Sequence, residues 1–167
     1  ARRLIDDAER AKEEALASSD IIVNAMNLTK SRRSRFFNVG YFSEEALARA
    51  KKGLIFINVT RGEIAPEAGL LNLYRSGRIS GIGLDVFSHE PEFAALLAGS
   101  PAKGADLLAA QALVRMALER SGNLYVQPHQ GFNSDLAAKA KAVEAVKHLA
   151  AWHKNTGKRF DEQLPYY

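Results

Sequence analysis

Arg61, Glu90 and His129 each follow a short apolar run, and in this 167-residue sequence they are the side chains best placed for chemistry. Arg61 closes Leu-Ile-Phe-Ile-Asn-Val-Thr-Arg, Glu90 follows Gly-Leu-Asp-Val-Phe-Ser-His, and His129 ends Asn-Leu-Tyr-Val-Gln-Pro-His. A guanidinium grips a carboxylate through two parallel N–H donors. An imidazole held by a carboxylate can exchange protons near neutral pH. In an open α/β sheet, residues just beyond the strands converge on one ligand crevice. The set therefore points to an enzyme acting on a small anionic substrate.

The elements that must deliver these groups are legible in the apolar pattern. A charged, alanine-rich helix is predicted over 2–18, and Ile21 to Met26 reads as a buried strand. Ser43 is placed to N-cap a helix from Glu44 to Lys52, with Gly53 as its stop. Leu54 to Thr60 is a second strand. Pro66 suits the first turn of a helix running to Ser76, before Gly77. Ile82 to Phe87 and Leu124 to Gln127 complete the strands, and Ser134 to Lys154 is a long final helix. Strands alternating with helices imply βαβ units and a parallel sheet, covered on both faces. Residues 92–122 interrupt this rhythm with two helical stretches, Phe93 to Ala98 and Ala105 to Arg120. Leu107, Leu108, Val114, Met116 and Leu118 give them enough apolar surface for a lid, a subunit contact or a packed satellite.

Composition narrows the class. Hydrophobic content of 47% and charged content of 25% suit a globular domain. No apolar run is long enough for a membrane span, and there is no cysteine for a disulfide or thiolate site. These features fit a cytoplasmic protein. The net charge of +4 is concentrated in Lys30-Ser31-Arg32-Arg33-Ser34-Arg35, beside Phe36 and Phe37. No nucleic-acid motif accompanies it, so it is read as a solvated connection whose two phenylalanines fold back onto the core. His89 reads as a loop residue. His148 and His153 lie five apart on a helix rather than at the spacing of a helical metal pair, and no metal is expected.

Taken in order, Asn58-Val59-Thr60-Arg61-Gly62, Gly83-Leu84-Asp85-Val86-Phe87 with Glu90-Pro91, and Pro128-His129 resemble the D-isomer-specific 2-hydroxyacid dehydrogenases. The intervening Leu70-Leu71 to Ile79 and the helix from Ala46 to Gly53 resemble them too. The resemblance runs from about Ser19 to Trp152. It implies a partial Rossmann-type, doubly wound parallel sheet, the second half of an NAD-binding domain over 1–157. The segment 158–167 would return to a substrate domain. It also implies NAD as cofactor, with NADP not excluded, and a small 2-keto or 2-hydroxy acid as substrate. The partner expected is a second copy in a homodimer, with neither nucleic acid nor membrane.

By motif position, Arg61 resembles the substrate-carboxylate anchor, His129 the general acid/base and Glu90 the carboxylate that orients it. Asn27, Val59, Thr60, Arg61, Asp85, His129 and Gly131 match positions lining the cofactor. The sequence lacks the G-x-G-x-x-G turn that holds the dinucleotide phosphates, and Ala25-Met26-Asn27-Leu28-Thr29 replaces the usual His-x-Pro-x-Thr. The expectation is an oxidoreductase in the intact protein and little turnover from this chain alone. Other Rossmann chemistry, such as hydrolysis or methyl transfer, and a non-enzymatic dinucleotide sensor or scaffold are the competing readings.

Overall fold

The computed structural model describes residues 11–101, 103–131 and 133–157. The rest of the first predicted helix and the expected 158–167 tail lie outside the described residues. The chain separates into two compact units, the first ending at His129 and the second beginning at Gln130.

In the first unit a helix over 11–18 (α1) precedes β1 (Ile21–Asn24), α2 (Glu44–Ala48), β2 (Leu54–Asn58) and a 3₁₀ turn (Gly62–Ile64). Then follow α3 (Glu67–Arg75), β3 (Ile79–Leu84), α4 (Glu90–Leu97), α5 (Ala105–Leu118) and β4 (Leu124–Val126). The four strands form one parallel sheet in the order β1-β2-β3-β4. This is the α/β, Rossmann-like architecture the sequence implies.

Register explains where the core sits. Ile22, Phe56, Ile82 and Leu124 are aligned across the sheet, so they share one face. Phe56 and Ile82 are buried there, together with Leu47, Leu70 and Leu113 from the helices. Each such side chain contributes roughly 1.5–3 kcal/mol by leaving water. The opposite face carries Ile21, Val23 and Tyr125, which stay 56%, 54% and 64% exposed. Only one face is thus well covered among the described residues, against the expectation of two. Among those residues β1 pairs with β2 alone, which makes it a sheet edge.

Local signals set most boundaries. Ser43 Oγ accepts the Ala46 N–H at 3.3 Å and caps α2 as expected. That helix stops earlier than predicted, because the chain turns so that Lys51 N–H donates to Leu16 O at 2.7 Å. Gly77 takes φ +69 after α3, a left-handed stop that favours glycine. The third strand begins at Ile79 and ends at Leu84 rather than spanning Ile82 to Phe87. The residues beyond it turn away from the sheet, as described below.

Residues 92–122 are largely helical as expected, and they pack on their own unit. Leu107, Ala109, Ala110 and Leu113 of α5 are buried, with α5 against α3 and β4. Leu108 and Leu118 on the same helix remain exposed. The basic connection corrects one expectation: Phe36 and Phe37 are 46% and 38% exposed instead of folding onto the core, and Arg35 stacks over the Phe36 ring. In the second unit, α6 (Asp135–Lys154) is capped by Ser134 Oγ, which accepts the Ala137 N–H at 3.1 Å. Its Leu136, Val146 and Leu149 are exposed. No described helix is long and apolar enough to cross a membrane.

Candidate active site

The C-terminal ends of β1 and β2 are held by buried asparagines. Asn24 and Asn58 are 1% and 0% exposed, and Asn24 Nδ2 donates to Asn58 Oδ1 and to Thr60 Oγ1, both at 2.9 Å. Asn58 Nδ2 donates to Arg61 O at 2.9 Å, and its Oδ1 accepts the Thr60 N–H at 3.3 Å. The Val59-Thr60-Arg61 turn is therefore built on a buried amide pair whose groups are satisfied internally. Its last residue, Arg61, is exposed, and its guanidinium donates to Thr60 O at 2.7 Å. A guanidinium has five N–H donors, so this bond leaves others for an anion.

After β3, the Asp85 N–H donates to Asn58 O at 3.0 Å, carrying the strand's last bond to β2. Phe87 and Ser88 then pass so close to Gly62 that a Cβ there would lie 2.0 Å from Phe87 C and Ser88 N. Only glycine fits at that crossing. His89 follows at φ +53, in the left-handed region, and turns the chain into α4. Glu90 is thereby presented at the first position of that helix.

Glu90 meets His129. The His129 Nδ1 lies 3.0 Å from Glu90 Oε1 and 3.1 Å from Oε2. An ionised carboxylate only accepts hydrogen bonds, so Nδ1 carries the proton, and a proton exchanged with a ligand would pass through the other ring nitrogen, Nε2. His129 itself sits at φ +54. Such a backbone costs of order 1 kcal/mol or more for a residue other than glycine, and it aims the ring.

A cavity of about 360 Å³ gathers Arg61, Phe87, His89, Glu90, Pro91 and Glu92, with Lys30 and Glu63 at its side. Lys30 Nζ lies 2.7 Å from Glu63 Oε1. Partial burial opposes ionisation of Glu63, but the Lys30 ammonium outweighs it and holds the carboxyl below its usual range. Two predicted residues, Arg61 and Glu90, thus open on one cavity, and the third, His129, is bonded to Glu90.

The expected cofactor positions fall unevenly. Thr60 belongs to the asparagine network, Val59 is 43% exposed at the end of β2, and Asp85 is 6% exposed at the end of β3. Asn27 is exposed, and its carbonyl accepts from Asn38 Nδ2 at 2.7 Å. Gly131 lies in the second unit. Among the described residues no group of three or more His, Asp or Glu is placed to hold a metal ion.

Sequence reasoning missed the asparagine pair and the buried carboxyl of Glu67, treated below. A polar residue closing an otherwise apolar strand was the available signal for Asn24 and Asn58. Glu67 offered none, because an acid in the first turn of a helix reads as an ordinary partner of the helix dipole.

Residues 5–131 match the family of the D-isomer specific 2-hydroxyacid dehydrogenase, NAD binding domain. The chain belongs to that family. Its fold and its NAD-binding character follow from the membership. Over 82 residues it is 42% identical to a D-3-phosphoglycerate dehydrogenase of Bacillus subtilis, covering 49% of this chain and 14% of that protein. Over 84 residues it is 34% identical to a glyoxylate reductase of Thermococcus kodakarensis, covering 50% of this chain and 23% of the relative. A D-lactate dehydrogenase from Aquifex aeolicus, solved with NAD and lactic acid, superposes with a TM-score of 0.67 at 25% identity. That superposition covers 87% of this chain and 40% of the other. A D-2-hydroxyisocaproate dehydrogenase shares the fold with a TM-score of 0.70 at 21% identity. The chain spans less than half the length of each of these proteins.

Proposed function

We propose that the intact protein interconverts a small 2-keto acid and the corresponding D-2-hydroxy acid with NAD. The observation that carries the reading is the 3.0 Å contact of His129 Nδ1 with Glu90, whose carboxylate opens on the same cavity as Arg61. Arg61 holds the substrate carboxylate and thereby turns its carbonyl toward the imidazole. In the reducing direction His129 gives the proton on Nε2 to the carbonyl oxygen, and in the oxidising direction it takes the hydroxyl proton. Glu90 fixes the ring orientation. Asn27, Val59, Thr60 and Asp85 of the first unit are the residues that would hold the nicotinamide half of the cofactor. Once bound, the reduced nicotinamide would supply the hydride and the oxidised form would accept it, while the protein provides orientation and electrostatics.

The test is a nicotinamide absorbance assay on the intact protein with a panel of 2-keto acids. His129→Asn is the informative replacement, because asparagine tolerates a left-handed backbone and carries no imidazole. It should lower kcat on the order of 10²–10⁴-fold, the usual weight of a positioned acid/base. Arg61→Lys should raise the keto-acid KM, since an ammonium cannot make the forked contact. Kinetics unaltered in both variants would remove the roles assigned here.

A further inference from the structure

Behind the turn that presents Glu90 lies a carboxyl group that neither the anchor nor the proton pair uses. Glu67, in the first turn of α3, is 1% exposed. Its Oε1 accepts the Ser88 N–H at 2.6 Å, and its Oε2 is buried with no hydrogen-bond partner among the described residues. Burial pushes the carboxyl above its usual range. The Ser88 N–H opposes the rise and the nearby Asp106 adds to it. Asp106 comes from the insertion helix α5, and its Oδ1 accepts the Ala68 N–H at 3.0 Å.

An acid serving only the helix dipole gains its few tenths of a kcal/mol at the surface, without desolvation. Glu67 is buried at a cost, with one oxygen left unsatisfied. What burial secures is a short bond to the Ser88 peptide N–H, and that peptide is a sensitive one. Ser88 precedes His89 at φ +53, and Glu90 comes next. The same peptide rests against Gly62, the residue after Arg61. The turn is thus fixed at one peptide from two elements, the 3₁₀ turn and α3.

We propose that Glu67 is a positioning residue, whose grip on the Ser88 N–H sets the place from which Glu90 meets the His129 imidazole. The proposal rests on the proton-transfer role given above to that pair. It makes the first turn of α3, and through Asp106 the insertion, part of the support of the proton site.

Two variants of the intact protein test it. Glu67→Met keeps the length of the side chain and removes the acceptor, while Glu67→Gln keeps an acceptor oxygen. Nitrogen-15 spectra of the imidazoles read the His129 Nδ1–H bond to a carboxylate whether or not the protein turns over a substrate. The Met variant should lose that signature and lower kcat about tenfold, a fraction of the full acid/base effect. Its keto-acid KM should stay within about twofold, because Arg61 still binds. The Gln variant should restore both. A folded Met variant with the wild-type His129 signature would overturn the proposal. So would a Gln variant that loses the signature, which decides the matter even where Met prevents folding. Loss of the signature in Met and its return in Gln, in a protein that reduces no keto acid, would support the grip and overturn the dehydrogenase reading instead.

Discussion

Adding one methyl group at Gly62 should disable the site without touching any group that meets a ligand. The new Cβ would lie 2.0 Å from Phe87 C and Ser88 N, where ordinary contact begins near 3.4 Å. The shortfall is about 1.4 Å, and both atoms belong to backbone, so no side chain can swing aside to absorb it. Either the 3₁₀ turn or the Phe87–Glu90 turn must move by about that distance. The Glu90–His129 contact is 3.0 Å, and an added displacement of that size carries it beyond hydrogen-bonding range. A misplacement of ~1 Å in a catalytic geometry costs on the order of 10²-fold in rate. Overpacking of this kind also costs roughly 1–3 kcal/mol in stability. Gly62→Ala in the intact protein should therefore remain folded by circular dichroism, melt at a lower temperature and lose about 99% of its kcat. Nicotinamide absorbance under saturating substrate reads the rate. A Gly62→Ala protein with more than about a third of wild-type kcat would refute the argument that this crossing sets the site.

Leu113→Ala should destabilise the fold by about 2–5 kcal/mol, the cost of truncating a fully buried leucine, as read by urea unfolding. A loss under ~1 kcal/mol would mean that α5 is not integral to the core. Glu67 also makes a prediction about pH. Its folded carboxyl lies above the ordinary value of 4.5, so the unfolded chain ionises first, and stability present below 4.5 falls as the pH rises through the folded value. Glu67→Gln removes that penalty, so the difference in unfolding free energy, variant minus wild type, should increase between pH 4 and pH 8. A difference that is flat with pH, measured by denaturant titration, would contradict the raised carboxyl.

The sheet was readable because its strands are continuous apolar runs punctuated by Ser43, Gly53, Pro66 and Gly77, residues with strong local preferences. The ends of the strands were less readable. Asp85-Val86-Phe87 is as apolar and β-prone as the strand before it. What pulls Phe87 and Ser88 off the sheet is a glycine and a glutamate more than 20 residues earlier. The pairing of His129 with Glu90 was legible as two groups following neighbouring strands, and the contact distance agrees. The left-handed backbone at His89 and His129 was not, since neither residue type announces it. Phe36 and Phe37 show the limit of reasoning from hydrophobicity alone: a single exposed aromatic is common and carries no instruction to fold inward.

Connections between strands are normally free to lengthen and shorten, because their backbone is satisfied by water and by itself. The 92–122 segment has given up that freedom. Its Asp106 accepts the Ala68 N–H of α3, while Leu107 and Leu113 fill space beside the sheet. Cutting the segment back to a plain turn would orphan a helix-start donor and open a void where two leucines now sit. Each loss costs of order a kcal/mol or more, and together they make up a large fraction of an ordinary domain's stability. The segment is held in place by its neighbours' needs: because α3 depends on it for a hydrogen bond and for packing, shortening it would require several compensating changes at once.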